Sequence, residues 1–89
     1  ALRLDVFLKQ SRLVKRRALA KELCEDGAVR VNQRPARAGK EVTAGDRLSL
    51  RLWSRLLELE IAHIPERPPS KEEARKLFRI LSEARVEEP

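Results

Sequence analysis

The stretch SRLVKRRALAKELCEDGAVRVN, residues 11–32, decides how the chain is read. Leu19, Ala20, Leu23 and Cys24 fall on one side of a helical wheel, and Arg17, Lys21 and Glu25 line another at i, i+4, i+8. The spacing predicts a helix over about 15–26, closed by Gly27 as a left-handed C-cap. Val29 and Val31 then alternate with Arg30 as a strand, and Asn32-Gln33-Arg34-Pro35 reads as a turn. Arg12, Lys15, Arg16 and Arg17 crowd the helix entrance. The helix dipole disfavours each such cation by about 0.3–1 kcal/mol, a cost that a bound anion offsets. Guanidinium groups hold phosphate oxygens in pairs of hydrogen bonds, and a helix start adds backbone amides. The pattern therefore points to a phosphate-binding helix entrance.

Working outward, Leu4, Phe7 and Leu8 at i, i+3, i+4 predict a short first helix with Asp5 in its first turn. Arg12-Leu13-Val14 connects the two helices. Downstream, residues 37–42 form a loop or short strand and Gly45-Asp46 a turn. Leu48, Leu50 and Leu52 alternate with Arg47, Ser49 and Arg51 as a half-buried strand. Trp53-Ser54-Arg55 turns the chain into a strand through Leu57, Leu59 and Ile61, with Glu58 and Glu60 outward. Pro65, Pro68 and Pro69 interrupt the pattern. Ser70 and Glu73 form a capping box, predicting a last helix from 71 to about 84 with Ala74, Leu77, Phe78 and Leu81 on one face. The order is that of a small α+β domain.

Eighty-nine residues, 42% of them hydrophobic, suffice for one modest core. The chain carries 20 Lys+Arg against 14 Asp+Glu, a net charge of +6. Residues 1–51 hold 13 cations and 6 anions, residues 52–89 hold 7 and 8, so the first half carries the whole excess. A polyanion, nucleic acid ahead of a membrane surface, is the expected partner of that half. One cysteine and one histidine exclude an internal disulfide and the usual zinc ligand sets. No cofactor is expected, and no apolar run reaches the ~20 residues of a membrane span. The absence of a signal segment makes cytoplasmic the simple expectation. With only Phe7, Trp53 and Phe78 as aromatics, readout of folded RNA by shape and phosphate fits better than single-strand binding by stacked bases.

Several ordered blocks together carry a resemblance. They are Arg3-Leu4-Asp5-Val6-Phe7-Leu8, Ser11-Arg12-Leu13-Val14-Lys15-Arg16-Arg17-Ala18, Gly27-Ala28-Val29-Arg30-Val31-Asn32 and Gly45-Asp46-Arg47-Leu48. The chain resembles the S4 RNA-binding domain over residues 3–51. With its C-terminal Lys-Glu-Glu-Ala segment it is similar to the small bacterial S4 proteins of ribosome-associated quality control, of which the heat-shock S4 protein is a longer relative. The resemblance implies an S4-type (alpha-L) fold, with two N-terminal helices packed on a small bent antiparallel sheet. Residues 1–52 are expected to form the S4 module, and residues 53–89 a hairpin extension and C-terminal helix packed on the same domain. It also implies attachment to large-subunit rRNA and tRNA on a stalled large subunit obstructed by peptidyl-tRNA, alongside a factor that tails the nascent chain. Arg3, Arg12, Lys15, Arg16 and Arg17 are the expected main contacts, extended by Lys9, Lys21, Arg30, Arg37 and Lys40.

Two other functions remain open at this point. One is the RNA-targeting module of an RNA-modifying enzyme or tRNA synthetase, against which stand the Glu87-Glu88-Pro89 ending and the lack of a convergent catalytic constellation. The other is a ribosome-maturation or heat-shock factor. Cys24 reads as core, His63 as structural or exposed, and Asp46 as a turn residue. Asp5 reads as a helix cap that could also orient a neighbouring arginine. Trp53 reads either as hairpin packing or as a stacking surface. Lys71, Arg75, Lys76 and Arg79 read as decoration of an exposed helix. Lys15→Glu with Arg17→Glu is expected to abolish RNA binding with the fold intact.

Overall fold

Helix α1 (Leu4–Gln10) forms because Leu4, Phe7 and Leu8 share one face, which is buried with Asp5 among them. Its N-cap is Arg3, without a side-chain cap bond, so Asp5 lies inside the first turn and is not the cap expected from the sequence; the first amides bond to a neighbouring loop. The Leu4 N–H donates to the Lys40 carbonyl (2.8 Å) and the Asp5 N–H to that of Ala38 (3.1 Å). Arg12 reverses the chain at φ 63, and α2 (Arg17–Glu25) follows, two residues shorter at its start than expected. Ala20 and Cys24 are buried on its inner side and Leu19 and Leu23 pack beside them. Gly27 ends it at φ 75, with Ala28 N–H donating to Leu23 O and Gly27 N–H to Cys24 O. This pair of bonds needs the left-handed residue that glycine supplies without strain.

Residues 1–85 are described by the structure, a computed structural model; Glu87, Glu88 and Pro89 lie outside them. Strand β1 (Leu2–Arg3) pairs with β4 (Glu41–Val42), which resolves residues 37–42 into a loop and a short strand. The main sheet is antiparallel, in the order β3-β2-β5-β6-β7. Its members are β2 (Val29–Val31), β3 (Arg34–Pro35), β5 (Arg47–Leu52), β6 (Arg55–Ile61) and β7 (Phe78–Arg85). The β2–β3 turn is Asn32-Gln33 at φ 51 and 70, the two left-handed positions of a tight hairpin. Asp46 ties this turn to the next, accepting from Thr43 N–H (2.9 Å) and Asn32 Nδ2 (3.3 Å).

Strict alternation puts Leu48, Leu50, Leu57, Leu59 and Ile61 inward. They join Leu4, Phe7, Leu8, Ala20, Cys24, Val29 and Val31 in one core. Each fully buried leucine contributes about 1.5–3 kcal/mol. The helices cover one face of the sheet, and Arg30, Arg47, Ser49, Arg51 and Glu58 project from the other.

The last element departs from expectation. Ser70 does cap a helix, its Oγ accepting from Glu73 N–H at 3.2 Å, and Ala74 and Leu77 are buried. That helix, α3 (Lys71–Arg75), is only five residues long, and Phe78–Arg85 is strand β7, paired along β6 from Ile61↔Phe78 to Arg55↔Arg85. The physical reason is the open edge of β6, whose backbone groups gain partners along its whole length. A register shift between Glu58 and Leu59 accommodates the pairing. Ile80 and Leu81, about 44% and 43% exposed, therefore lie outside the core in which a helix would have placed Leu81.

Candidate nucleic-acid interface

The centre of the candidate interface is a buried carboxylate. Asp5 faces inward from the first turn of α1 and is fully buried. Its Oδ1 accepts from Arg3 Nε (3.1 Å) and from Val6 N–H (2.8 Å). Its Oδ2 accepts from Arg3 Nη2 (3.1 Å) and Arg17 Nε (3.2 Å). Burial alone would push this carboxyl up; the hydrogen bonds and charges of Arg3 and Arg17 outweigh it and hold the group below its usual value. Asp5 is therefore ionised at neutral pH. One negative charge between two guanidinium groups leaves a positive surplus and fixes both arginines in place. Their side chains are about half exposed, and Arg17 holds Asp5 through Nε alone, which leaves both Nη groups for a ligand.

Arg17 opens α2, and Arg16 is its N-cap in extended conformation without a side-chain cap bond. The first turn has no acidic residue. Among the described residues none accepts from the N–H groups of Arg17, Ala18 and Leu19. The entrance thus presents open amides, the positive dipole end and cations together. Lys21 stands one turn further along α2 and is exposed.

The other sequence candidates fall into three groups. Lys9, Arg12 and Lys15 line one groove with Pro68, Pro69 and Lys71. Arg37 and Lys40 line a second concavity with Arg34, in the loop that bonds to the start of α1. Arg3 reaches this loop, since a Cβ on Gly39 would lie 3.9 Å from its Nη2. Arg30 stands apart: it lines a groove with Arg51 and Glu58 on the sheet face away from the helices. Lys9, Arg12, Lys15, Arg16 and Lys21 form no ion pair among the described residues.

Two features of this surface were not legible in the chain. Lys71 reads as decoration of a helix, yet the Pro68-Pro69 segment carries it to Lys9 and Lys15. Arg17 reads only as a ligand contact, yet it is also a partner of Asp5. Arg17→Glu would face Asp5 with a second carboxylate, so the expectation that this change spares the fold is corrected. Lys15→Glu with Arg16→Glu is the cleaner perturbation. Cys24 is buried in the core; burial, then the charges of Asp5 and Glu25, push its thiol up to about 11. No helix among the described residues is long and apolar enough to cross a membrane.

Known proteins share the sequence pattern and the fold of this chain. The S4 domain family model matches residues 2–48. The RQC P-site tRNA stabilizing factor of Halalkalibacterium halodurans is 48% identical over 82 residues, 92% of each chain. Its Bacillus subtilis counterpart is 39% identical over 87 residues, covering 98% of this chain and all of the relative. The trimeric structure of Vibrio cholerae heat shock protein 15 superposes with a TM-score of 0.84 at 31% identity, covering 91% of this chain and 82% of that one. With half its length matched by the domain model and nearly all of it by these relatives, the chain belongs to the S4 domain family, in the branch of the RQC P-site tRNA stabilizing factors.

Proposed function

We propose that this protein attaches to the large ribosomal subunit obstructed by peptidyl-tRNA, contacting rRNA and tRNA together, and holds the tRNA in place while a partner factor tails the nascent chain. The observation that carries the reading is the Arg3–Asp5–Arg17 clasp at the open start of α2, with Arg12, Lys15 and Arg16 immediately before it. Preorganised guanidinium groups bind phosphates without first losing rotamer freedom. The names of the relatives, RQC P-site tRNA stabilizing factors, support tRNA as the ligand.

In this reading residues 1–52 grip RNA, and the described part of the remainder, residues 53–85, extends the sheet beside them. The role is positional: the chain lowers the free energy of one tRNA placement and makes or breaks no bond itself. It acts in the cytoplasm, where its ribosome is. If about six cations neutralise phosphates, affinity falls roughly three decades between 50 and 200 mM salt, taking duplex DNA as the guide.

Co-sedimentation tests the proposal. Wild-type protein should pellet with large subunits carrying peptidyl-tRNA more than with empty ones, and Lys15→Glu with Arg16→Glu should remain in the supernatant. Equal pelleting with empty subunits favours a maturation factor instead, and retention of the double variant removes the helix entrance from the interface.

A further inference from the structure

Trp53 sits at the tip of the β5–β6 hairpin, and two unfavourable conditions meet there. Its backbone lies at φ 53, a left-handed conformation in which a bulky side chain is strained. Its indole is 83% exposed, so it gains almost none of the apolar burial that would offset that strain. It is absent from the core and from the side chains packed against it. A turn shaped for folding alone would place Gly, Asn or Asp at such a position. The expectation that Trp53 packs at the hairpin end is not met.

The surroundings name the chemistry that would use this ring. Arg51 precedes it by two residues and Arg55 follows by two, both exposed, with Arg55 bonded to Glu83. From Arg51 a shallow groove runs over the sheet face away from the helices, lined by Ala28, Arg30, Ser49, Leu56 and Glu58. The Arg51 N–H donates to Ala28 O, just past the C-terminal end of α2. An apolar partner would need an apolar surround, whereas this groove is lined chiefly by Arg30, Ser49, Arg51 and Glu58, with Leu56 exposed among them and Leu81 exposed beside Ser49 and Glu58. An exposed flat ring with an exposed arginine, unpaired among the described residues, two residues before it in the chain suits a stacked base and its adjoining phosphate.

We infer that Trp53 is the stacking platform for a single unpaired nucleobase of the bound RNA, with Arg51 and Arg30 on the adjoining phosphates. This rests on the RNA-binding reading and adds a second attachment point. Helix α2 is nine residues long, so its two ends are about 13 Å apart. The phosphate-binding entrance lies at one end and the indole beyond the other, and two separated anchors fix orientation where one fixes only location.

Trp53 is the sole tryptophan, so its fluorescence reports the contact directly. The probes are an RNA stem-loop with one extrahelical purine and the same stem fully paired, both in low salt. The bulged stem should quench Trp53 and bind about ten-fold more tightly than the paired one. Trp53→Ala should erase that preference and Trp53→Phe should keep most of it. Lys15→Glu with Arg16→Glu should weaken both RNAs alike and keep the ratio. Trp53→Gly should raise Tm by about 4 °C, because it relieves the left-handed strain. Equal binding of both stems without quenching overturns the inference and leaves RNA binding standing, including the case in which Trp53→Ala instead loses a protein partner. A fall in Tm for Trp53→Gly also overturns it, since the indole would then serve the fold. Failure of both RNAs to bind overturns the RNA-binding reading and this inference together.

Discussion

Asp5→Asn separates two accounts of the interface, because they disagree in sign. The substitution keeps the shape of the side chain and removes its charge, so the net charge rises by one from +6. If the interface were only a cloud of positive charge, RNA would bind more tightly. The structure gives the opposite expectation. A carboxamide has one accepting oxygen, so the bonds to one of the two carboxylate oxygens are lost, for instance those from Arg3 Nη2 and Arg17 Nε to Oδ2. Charged hydrogen bonds contribute about 1.5–3 kcal/mol each. Both guanidinium groups are about half exposed and regain water, which reduces the cost to roughly 2 kcal/mol in total. For a domain of this size that lowers Tm by about 10 °C.

Binding should weaken as well. Two arginines freed from Asp5 must be immobilised again by the RNA, at about 0.5–1.5 kcal/mol each, or roughly ten-fold in affinity. Fluorescence anisotropy with a labelled rRNA fragment, at a temperature where both proteins are folded, measures this. The acid limb of stability supplies a second reading. Asp5 titrates below its ordinary 3.8 in the fold, so the folded chain binds fewer protons there than the unfolded one. Its stabilisation is complete above the unfolded value and disappears as pH falls through the lower folded value. The stability gap between wild type and Asp5→Asn should thus be constant above about pH 5 and close in acid. Tighter RNA binding by Asp5→Asn, or a gap unaffected by acid, would refute the clasp.

Lys71→Glu should weaken RNA binding and lower the slope of log affinity against log salt by about one or more, whereas Arg75→Glu should change affinity less than about two-fold; isotherms at several salt concentrations distinguish them. Leu50→Ala, at a fully buried position, should cost about 2–5 kcal/mol in denaturant unfolding. With its thiol pushed up to about 11 and buried, Cys24 should react with a disulfide reagent at pH 8 only as fast as the protein unfolds, and rapidly in denaturant.

The two helices and the central strands were legible because each keeps one period long enough to exclude the other. Leu48 to Ile61 alternates across two strands, and Gly27 marks the helix end with a conformation few residues adopt. Leu77, Phe78, Ile80 and Leu81 are too closely spaced to choose between periods, and the choice was made by the open edge of β6, fixed far away in sequence. The clustering of cations around the start of α2 was legible in the sequence, but its wiring was not. Arg3 lies two residues from Asp5 and invites pairing, whereas Arg17 is twelve residues away and reaches it only once α1 and α2 are packed. The proximity of Lys71 to Lys15 depends on the path taken by Pro68 and Pro69, which no periodicity encodes.

The strand order leaves β3 and β7 as the outermost members of the main sheet. The first is two residues long and contains Pro35, a poor template for any visiting chain. The second is eight residues long, but it is interrupted by a register shift and bears Arg79, Glu83 and Arg85. Charge and irregularity along a free margin discourage edge-to-edge stacking of molecules into ribbons. An open-sided sheet with margins of this kind offers a visiting strand few well-placed backbone partners.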